Sequence, residues 1–409
     1  PPYAPPPPPP LLPPPFPPPP PPPPFKAVVV IELNGGCDSY NVLMPHSNCP
    51  SKDMFAEYSI VRSNVATARA DMLPIQVPQG TQVCSTFGVH KSLSVLRDLY
   101  EQGDAAFIAN MGNLIEPVTR QTFMEGTVQL PPQIFAHNVA QRSAQNVHPQ
   151  AFRSKGVLGR ILDALSAQPE GYRVGAFSTA GNVKMVEADT LLPDIIEGNE
   201  GAVPFRPAGD DHLQPYIEAL LEPASYSVFG ETITSLFQSA LERSEAVGEA
   251  LKSVTLTQAF GTDTISRQLQ QVAKLIIASN SLGTDRGAYV AQIGSFDTHG
   301  SVGEVLDKRL RQVNAALGSF VAEMKARGRW DEVVVVSVSE FGRTLTSNGQ
   351  GTDHGWGGNY FVLGGAVKGG QVVGTFPEDL TDSSPLSSGR GRIIPTLPWE
   401  GIWKGVSDW

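Results

Sequence analysis

A dense run of prolines at the start of the chain limits what this sequence can fold into. Of the 37 prolines in 409 residues, 19 lie in residues 1–24. Proline fixes the backbone φ angle and lacks an amide donor, so this run excludes both helix and sheet. We predict a polyproline II arm over residues 1–25, with Tyr3, Leu11, Leu12 and Phe16 as its bulky interruptions. The other 18 prolines are an ordinary share for the remaining residues, so 26–409 is expected to be a globular domain with a sizeable core.

The charge pattern excludes some classes of protein. The chain has 30 basic and 40 acidic residues, a net charge of −10, and no run of lysines or arginines. We therefore expect no nucleic-acid binding, which needs a basic surface that follows the phosphates. No stretch approaches the roughly 20 apolar residues of a membrane span, so none is predicted.

The three cysteines are too far apart for a zinc-ribbon or thioredoxin motif. Cys49 and Cys84 lie in loop-like surroundings, whereas Cys37 lies within a glycine-containing motif after the first predicted strand. In an oxidising compartment we expect Cys49 to pair with Cys84 and Cys37 to stay free. The alternative is three unpaired cysteines that act as small hydrophobic residues.

Apolar runs alternate with helical patterns along residues 26–409. Short buried strands are predicted at 27–33, 105–110, 172–178, 287–293, 331–338, 359–363 and 370–374. Helices are predicted at 91–102, 154–167, 228–252, 263–284, 301–327 and 398–409, and residues 185–227 are expected to be irregular. This alternation indicates an α/β fold with a mostly parallel sheet that is covered on both faces.

Carboxylates, imidazoles and an arginine cluster just after several of these strands. The groups are Asp38, then Asp297 with His299, then Glu340 with Arg343, and finally Asp353 with His354. The carboxyl ends of parallel strands meet at one edge, where ligands bind. Carboxylates and imidazoles at that edge could hold one or two divalent cations, and an arginine beside them could clamp an anion.

The motifs LNGGCDSYN, FDTHG, SEFGRT and TDHGWGG, in this order, resemble the family catalogued as domain of unknown function 1501. That family is similar to the alkaline-phosphatase and sulfatase superfamily. The resemblance covers residues 26–409 and implies a three-layer α/β/α sandwich with one or two ions of Zn, Mg or Ca. It assigns metal ligation to Asp38, Asp297, His299, Glu340, Asp353 and His354.

The same resemblance implies further roles. It places Arg343 against the substrate anion and leaves Thr119 or Thr122 as the nucleophile. In the segment IFAHNVAQ, Val139 stands where the family has an aspartate.

The arm resembles the proline runs of hydroxyproline-rich extracellular glycoproteins of algae and plants. This resemblance implies an extracellular or cell-surface location, prolyl hydroxylation and O-linked glycans. The chain begins at Pro1 and shows no apolar signal segment, so we expect either a processed protein or a fragment. The candidate modified residues are Pro5, Pro6, Pro7, Pro8, Pro9, Pro10, Pro17, Pro18, Pro19 and Pro20.

Two functions compete at this point. The main hypothesis is a structural glycoprotein that assembles into a filament or wall layer through its arm, by self-association or with another cell-surface glycoprotein. The alternative is an active metal-dependent phosphoric or sulfuric ester hydrolase. A further hypothesis is a sugar-binding surface formed by the same residues.

Overall fold

The computed structural model describes residues 23–169, 171–198, 212–221 and 227–409. The predicted arm and its candidate modified prolines lie outside the described residues, apart from the last few positions of the arm, and the division at residue 26 stays a prediction. The described strands are β1 (Lys26–Leu33), β2 (Leu43–Ser47), β3 (Met72–Gln76), β4 (Thr86–His90), β5 (Ala105–Gly112), β6 (Val174–Ser178), β7 (Asp194–Ile195), β8 (Arg286–Ile293), β9 (Val333–Val338), β10 (Arg343–Ser347), β11 (Thr352–His354), β12 (Gly358–Leu363), β13 (Val372–Gly374) and β14 (Leu397–Pro398). The described helices are α1 (Met54–Arg62), α2 (Ser94–Gln102), α3 (Arg120–Glu125), α4 (His137–Asn146), α5 (Val157–Ser166), α6 (Gln214–Leu221), α7 (Val228–Ser253), α8 (Thr264–Ile277), α9 (Val302–Ala326) and α10 (Glu400–Asp408).

The central sheet has the strand order β13-β5-β12-β9-β1-β8-β6-β7, with β14 beside β5. Strand β12 runs antiparallel to β5 and to β9. The other pairings described in this sheet are parallel. The predicted α/β fold with a mostly parallel sheet is therefore confirmed.

Helices cover both faces of this sheet. In β1, Val29 and Ile31 belong to the core that includes α2, α8 and α9. Their neighbour Val30 belongs to the opposite core, which includes residues of α5 and α10. Successive side chains of a strand point to opposite faces, so the continuous apolar run of β1 is what a strand buried on both sides requires. The three-layer α/β/α arrangement follows.

The predicted elements agree with the structure except in two places. Helix α8 ends at Ile277 and not at residue 284, because Asn280 and Gly283 follow and Gly283 has a positive φ of 63°. The region expected to be irregular contains α6 and the short strand β7. None of the described helices has the length and apolar character that crossing a membrane requires.

A small antiparallel sheet of order β2-β4-β3 flanks the central one and carries the disulfide. Cys49 follows β2 and Cys84 precedes β4, so the Cys49–Cys84 bond ties together one end of this strand pair. Cys37 is free and buried. The predicted pairing is confirmed.

Replacing both Cys49 and Cys84 by Ala should lower the free energy of unfolding by about 2–4 kcal/mol. The disulfide closes a loop of 35 residues, and opening it enlarges the unfolded ensemble. Denaturant titrations with and without a thiol reductant measure the effect. The reductant should destabilise the natural protein but not the double variant, and equal responses would contradict the prediction.

The last turn of α4 is tied to the central sheet by a buried carboxyl group. Glu32 of β1 accepts a 2.6 Å hydrogen bond from Gln145, and its other oxygen has no partner among the described residues. Burial raises the pKa of Glu32 to about 7, against the lowering effect of the Gln145 hydrogen bond.

Because the pKa of Glu32 is raised in the folded state, the free energy of unfolding should decrease as pH rises. Between pH 4.5 and about 7 the folded carboxyl keeps its proton while the unfolded one loses it, so stability falls as pH rises. Glu32→Gln should remove up to about 3 kcal/mol of this decline. Denaturant titrations at pH 5 and pH 8 test it, with Glu378→Gln in an exposed loop as the matched control. An unchanged slope in Glu32→Gln would contradict the assignment.

Candidate metal centre

The loops that follow β1, β8 and β9 meet at one edge of the sheet. β1 pairs in parallel with both neighbours, and its register sets Leu33 beside Ile293 and Glu32 beside Val338. The loop after β8 carries Asp297 and the loop after β9 carries Glu340. Strand β11 and the first residue of α4 complete the site with His354 and His137.

Three imidazoles face the carboxylate of Asp297. Its Oδ1 atom lies 3.0 Å from His299 Nε2 and 3.3 Å from His354 Nε2. Its Oδ2 atom lies 3.5 Å from His137 Nε2. The Nε2 atoms of His299 and His354 are themselves 3.1 Å apart. Asp297 is thus the centre of the cluster.

The second nitrogen of each imidazole is held by an oxygen. His137 Nδ1 lies 2.8 Å from Glu340 Oε1, and His299 Nδ1 lies 3.1 Å from Asp353 Oδ1. His354 Nδ1 lies 2.8 Å from the backbone carbonyl oxygen of Phe135. Carbonyl and ionised carboxylate oxygens can only accept, so in each pair Nδ1 donates. In the neutral imidazoles the lone pairs are then at Nε2, as in histidines that bind metals.

This concentration of lone pairs fits a divalent cation. Ligand atoms about 2.0–2.1 Å from a tetrahedral zinc ion lie about 3.3 Å apart. The triangle formed by Asp297 Oδ1, His299 Nε2 and His354 Nε2 has sides of 3.0, 3.1 and 3.3 Å. Ligand atoms of His137, Asp297 and His354 also lie within 4.8 Å of one another. Oδ1 of Asp297 therefore faces His299 and His354, and Oδ2 faces His137.

Arg343 holds Asp297 in place. Its Nη1 atom donates to Asp297 Oδ1 at 2.8 Å and to the Gly35 carbonyl at 3.2 Å, and its Nη2 and Nε atoms donate to Thr352. Burial acts to raise the pKa of Asp297, but the hydrogen bond and charge of Arg343 outweigh it and hold that pKa below its usual value. The guanidinium is completely buried, so in this structure it faces Asp297 and not an incoming anion.

Glu340 lies behind His137. Its Oε1 atom also accepts from the Gly35 amide at 2.9 Å, and Oε2 accepts from Ser339 at 3.1 Å. Its hydrogen bond raises the pKa of His137. Gly35 has φ of 119°, and a Cβ there would come within 2.3 Å of the Asp297 amide nitrogen, so only glycine lets the two loops meet. Glu340 therefore orients a ligand-type histidine and is itself nearly buried.

Asp353 orients His299 in a similar way. Its Oδ1 atom accepts from Asn348 Nδ2 at 3.0 Å, and this bond lowers the pKa of Asp353. Phe341 borders the cluster, with its ring centre 4.8 Å from that of His354. Burial lowers the pKa of His354, which favours the neutral, ligand form of that imidazole.

Asp38 lies apart from this cluster. Its carboxylate is fully buried, pairs with Arg62 at the end of α1, and accepts from Asn41 Nδ2 at 3.1 Å. The backbone turns into a short 3₁₀ helix at Ser39–Asn41 directly after it, beside α1. The expectation that Asp38 joins the other ligands is therefore not met in this structure, where Arg62 neutralises its charge.

Thr119 and Thr122 form a helix cap. Thr119 is the N-cap of α3, and its hydroxyl accepts from the Thr122 amide at 3.2 Å, while the Thr122 hydroxyl accepts from the Thr119 amide at 3.0 Å. No hydrogen bond joins either threonine to the histidine cluster among the described residues. Their proposed role as nucleophile stays a prediction.

His137 is the residue that the sequence interpretation missed. In its segment, IFAHNVAQ, the sequence interpretation named only Val139. The available signal was a histidine next to a polar residue at the start of a helical pattern, which also occurs at many ordinary helix N-termini. Its link to Glu340 spans 203 positions of the chain and cannot be inferred from spacing.

The chain belongs to the family described as "Protein of unknown function (DUF1501)", whose family model matches residues 25–386. No curated protein matches the chain.

Several solved structures show weak similarity. The lipoteichoic acid synthase LtaP from Listeria monocytogenes is 10% identical with a TM-score of 0.34, over 91% of this chain and 74% of that one. The C-terminal periplasmic domain of EcEptC from Escherichia coli, in complex with Zn, is 10% identical with a TM-score of 0.37, over 84% and 74%. The phosphonate monoester hydrolase of Agrobacterium radiobacter is 10% identical with a TM-score of 0.34, over 86% and 71%.

Removing the central carboxylate should abolish metal binding. Asp297→Asn should reduce the bound zinc to background, and Asp353→Asn should weaken the affinity by about 10–100-fold because it loses the charge that orients His299. Elemental analysis and competition with a zinc indicator measure both. Asp98→Asn, at an exposed position in α2, and His46→Gln in β2 are the matched controls. Full zinc occupancy in Asp297→Asn would contradict the assignment.

Proposed function

We propose that the chain is a metal-dependent hydrolase of phosphoric or sulfuric esters, with the cluster around Asp297 as its active site. The observation that carries this proposal is the meeting of three histidine Nε2 atoms at one carboxylate, with every Nδ1 atom held by an acceptor. A surface that served only for packing would not need three oriented imidazoles at the exposed end of a sheet. The ester class comes from the motif resemblance described above.

The donor set favours zinc as the resident ion. Imidazole nitrogens suit zinc, whereas magnesium and calcium prefer all-oxygen sites. In this proposal Asp297 Oδ1, His299 and His354 hold the ion. When bound, a divalent cation polarises the ester group and favours deprotonation of a water molecule. Because no hydrogen bond joins Thr119 or Thr122 to this cluster within the described residues, water is the proposed nucleophile.

The remaining residues position the ligands and hold protons. Arg343 fixes Asp297 in its ionised form, and Asp353 and the Phe135 carbonyl fix two imidazoles. Of the two Asp297 oxygens His137 faces Oδ2, whereas the ion is proposed at Oδ1, and the hydrogen bond to Glu340 raises the pKa of His137. We assign His137 Nε2 as the atom that carries a proton to the leaving oxygen, a role for which an elevated histidine pKa is suited.

The other hypotheses have less support. Assembly through the arm depends on residues outside the described ranges, so the filament, its glycans and its partners stay predictions. The sugar-binding surface likewise stays a prediction. An extracellular or other oxidising location remains part of the proposal and is supported by the Cys49–Cys84 disulfide.

Hydrolysis of a panel of aryl phosphates and aryl sulfates with added zinc tests the proposed function. We expect measurable turnover that falls at least about 100-fold in Asp297→Asn and His354→Ala, since both remove ligands, and that persists in His46→Gln. Preparing all variants in parallel controls for contaminating phosphatases. Equal rates in the natural protein and Asp297→Asn, or no turnover of any ester with zinc bound, would refute the proposal.

A further inference from the structure

A second arginine lies at the rim of the histidine cluster in a fixed orientation. The Nε atom of Arg392 donates to the backbone carbonyl of His354 at 3.0 Å. The Cζ atom of Arg392 lies 4.2 Å from the centre of the Phe135 ring, which is a cation–π contact. The carbonyl of Phe135 in turn accepts from the His354 imidazole at 2.8 Å.

These three contacts connect Arg392, Phe135 and His354 to one another. Phe135 holds the imidazole of His354 through its carbonyl and supports the guanidinium of Arg392 through its ring. His354 holds that guanidinium through its own carbonyl. One histidine therefore carries both the ligand nitrogen that faces Asp297 and the oxygen that anchors Arg392, so the guanidinium is positioned relative to the cluster.

The outer edge of this guanidinium is available. Neither Nη1 nor Nη2 of Arg392 has a hydrogen-bond partner within the described ranges, and the side chain is half-buried. With Nε and one ring face engaged, both η nitrogens can donate to a ligand. A planar pair of N–H donors matches two oxygens of a phosphate or sulfate group.

Three other arginines differ from Arg392. Arg343 is buried, and its three nitrogens donate to Asp297, Gly35 and Thr352. In Arg120, Nη1 donates to the carbonyls of Asp382 and Ser387. Arg390 is exposed and close to Arg392, but no described contact fixes its side chain.

We propose that Arg392 forms an oxyanion subsite that binds the non-bridging oxygens of a phosphoryl or sulfuryl group at the edge of the metal centre. The subsite takes the role that the sequence interpretation gave to Arg343. The inference deepens the proposed function and rests on it for the identity of the substrate group. It also applies to the free inorganic anions, because their tetrahedral oxygens are the same.

Calorimetric titration of the zinc-loaded full chain with inorganic phosphate and, separately, with inorganic sulfate tests the subsite without turnover. Arg392→Ala should raise the dissociation constant by about 10–100-fold, as expected for loss of hydrogen bonds to a charged group. Arg392→Lys should raise it to a smaller extent, since lysine keeps the charge but loses the fork. Whichever anion binds more tightly indicates the ester class.

Arg390→Gln is the matched control, since Arg390 is exposed, lies two residues from Arg392 and carries the same positive charge. It should change the dissociation constant by less than about twofold. Zinc content and melting temperature should match those of the natural protein in every variant. In ester hydrolysis, Arg392→Lys should raise KM more than it lowers kcat.

Several results would overturn the inference. The first three are an unchanged anion affinity in Arg392→Ala, no anion binding by the natural protein, and an equal loss of affinity in Arg390→Gln. The fourth is loss of zinc in both Arg392 variants, which would assign Arg392 a purely structural role. Anion binding through Arg392 without hydrolysis of any ester would refute the proposed function alone. Hydrolysis that is insensitive to Arg392→Lys and Arg392→Ala would refute the subsite alone.

Discussion

The parallel pairing of β1 with β8 and β9 is the constraint on which the site depends. β1 is central and buried on both faces, so its register with its neighbours is fixed by apolar packing and by two complete ladders of hydrogen bonds. The three strands therefore end at the same edge. A shift of one residue in either pairing would move every side chain of a strand to the opposite face and separate Asp297 from Glu340.

The charge at that edge of the sheet is set by the side chains around Asp297. Asp297 is bordered by three imidazoles and one buried guanidinium, and two of the Nε2 atoms lie only 3.1 Å apart. Lone pairs at this separation repel one another unless a proton or a cation lies between them. This repulsion makes the cluster a good site for a divalent ion, whose charge offsets it.

Two buried arginines each hold the carboxylate of an aspartate in position. Arg62 neutralises Asp38, and Arg343 orients Asp297, and both guanidinium groups are completely buried. Removing Arg62 would leave the fully buried carboxylate of Asp38 without its charge partner, which is strongly unfavourable. Arg392 differs because it is held at Nε and on one ring face, which leaves its outer nitrogens for a ligand.

The sequence by itself determined the fold class and placed Asp297, His299 and Glu340 just after predicted strands, and it favoured the pairing of Cys49 with Cys84. These follow from apolar periodicity and from residue types beside strand ends and in loops, which are local properties of the chain. Only the tertiary structure decided that His137 joins the cluster, that Asp38 leaves it, and that Arg343 is buried. Those outcomes depend on where α1 and α4 pack against the edge of the sheet, and on contacts between residues up to 308 positions apart, which spacing along a chain does not encode.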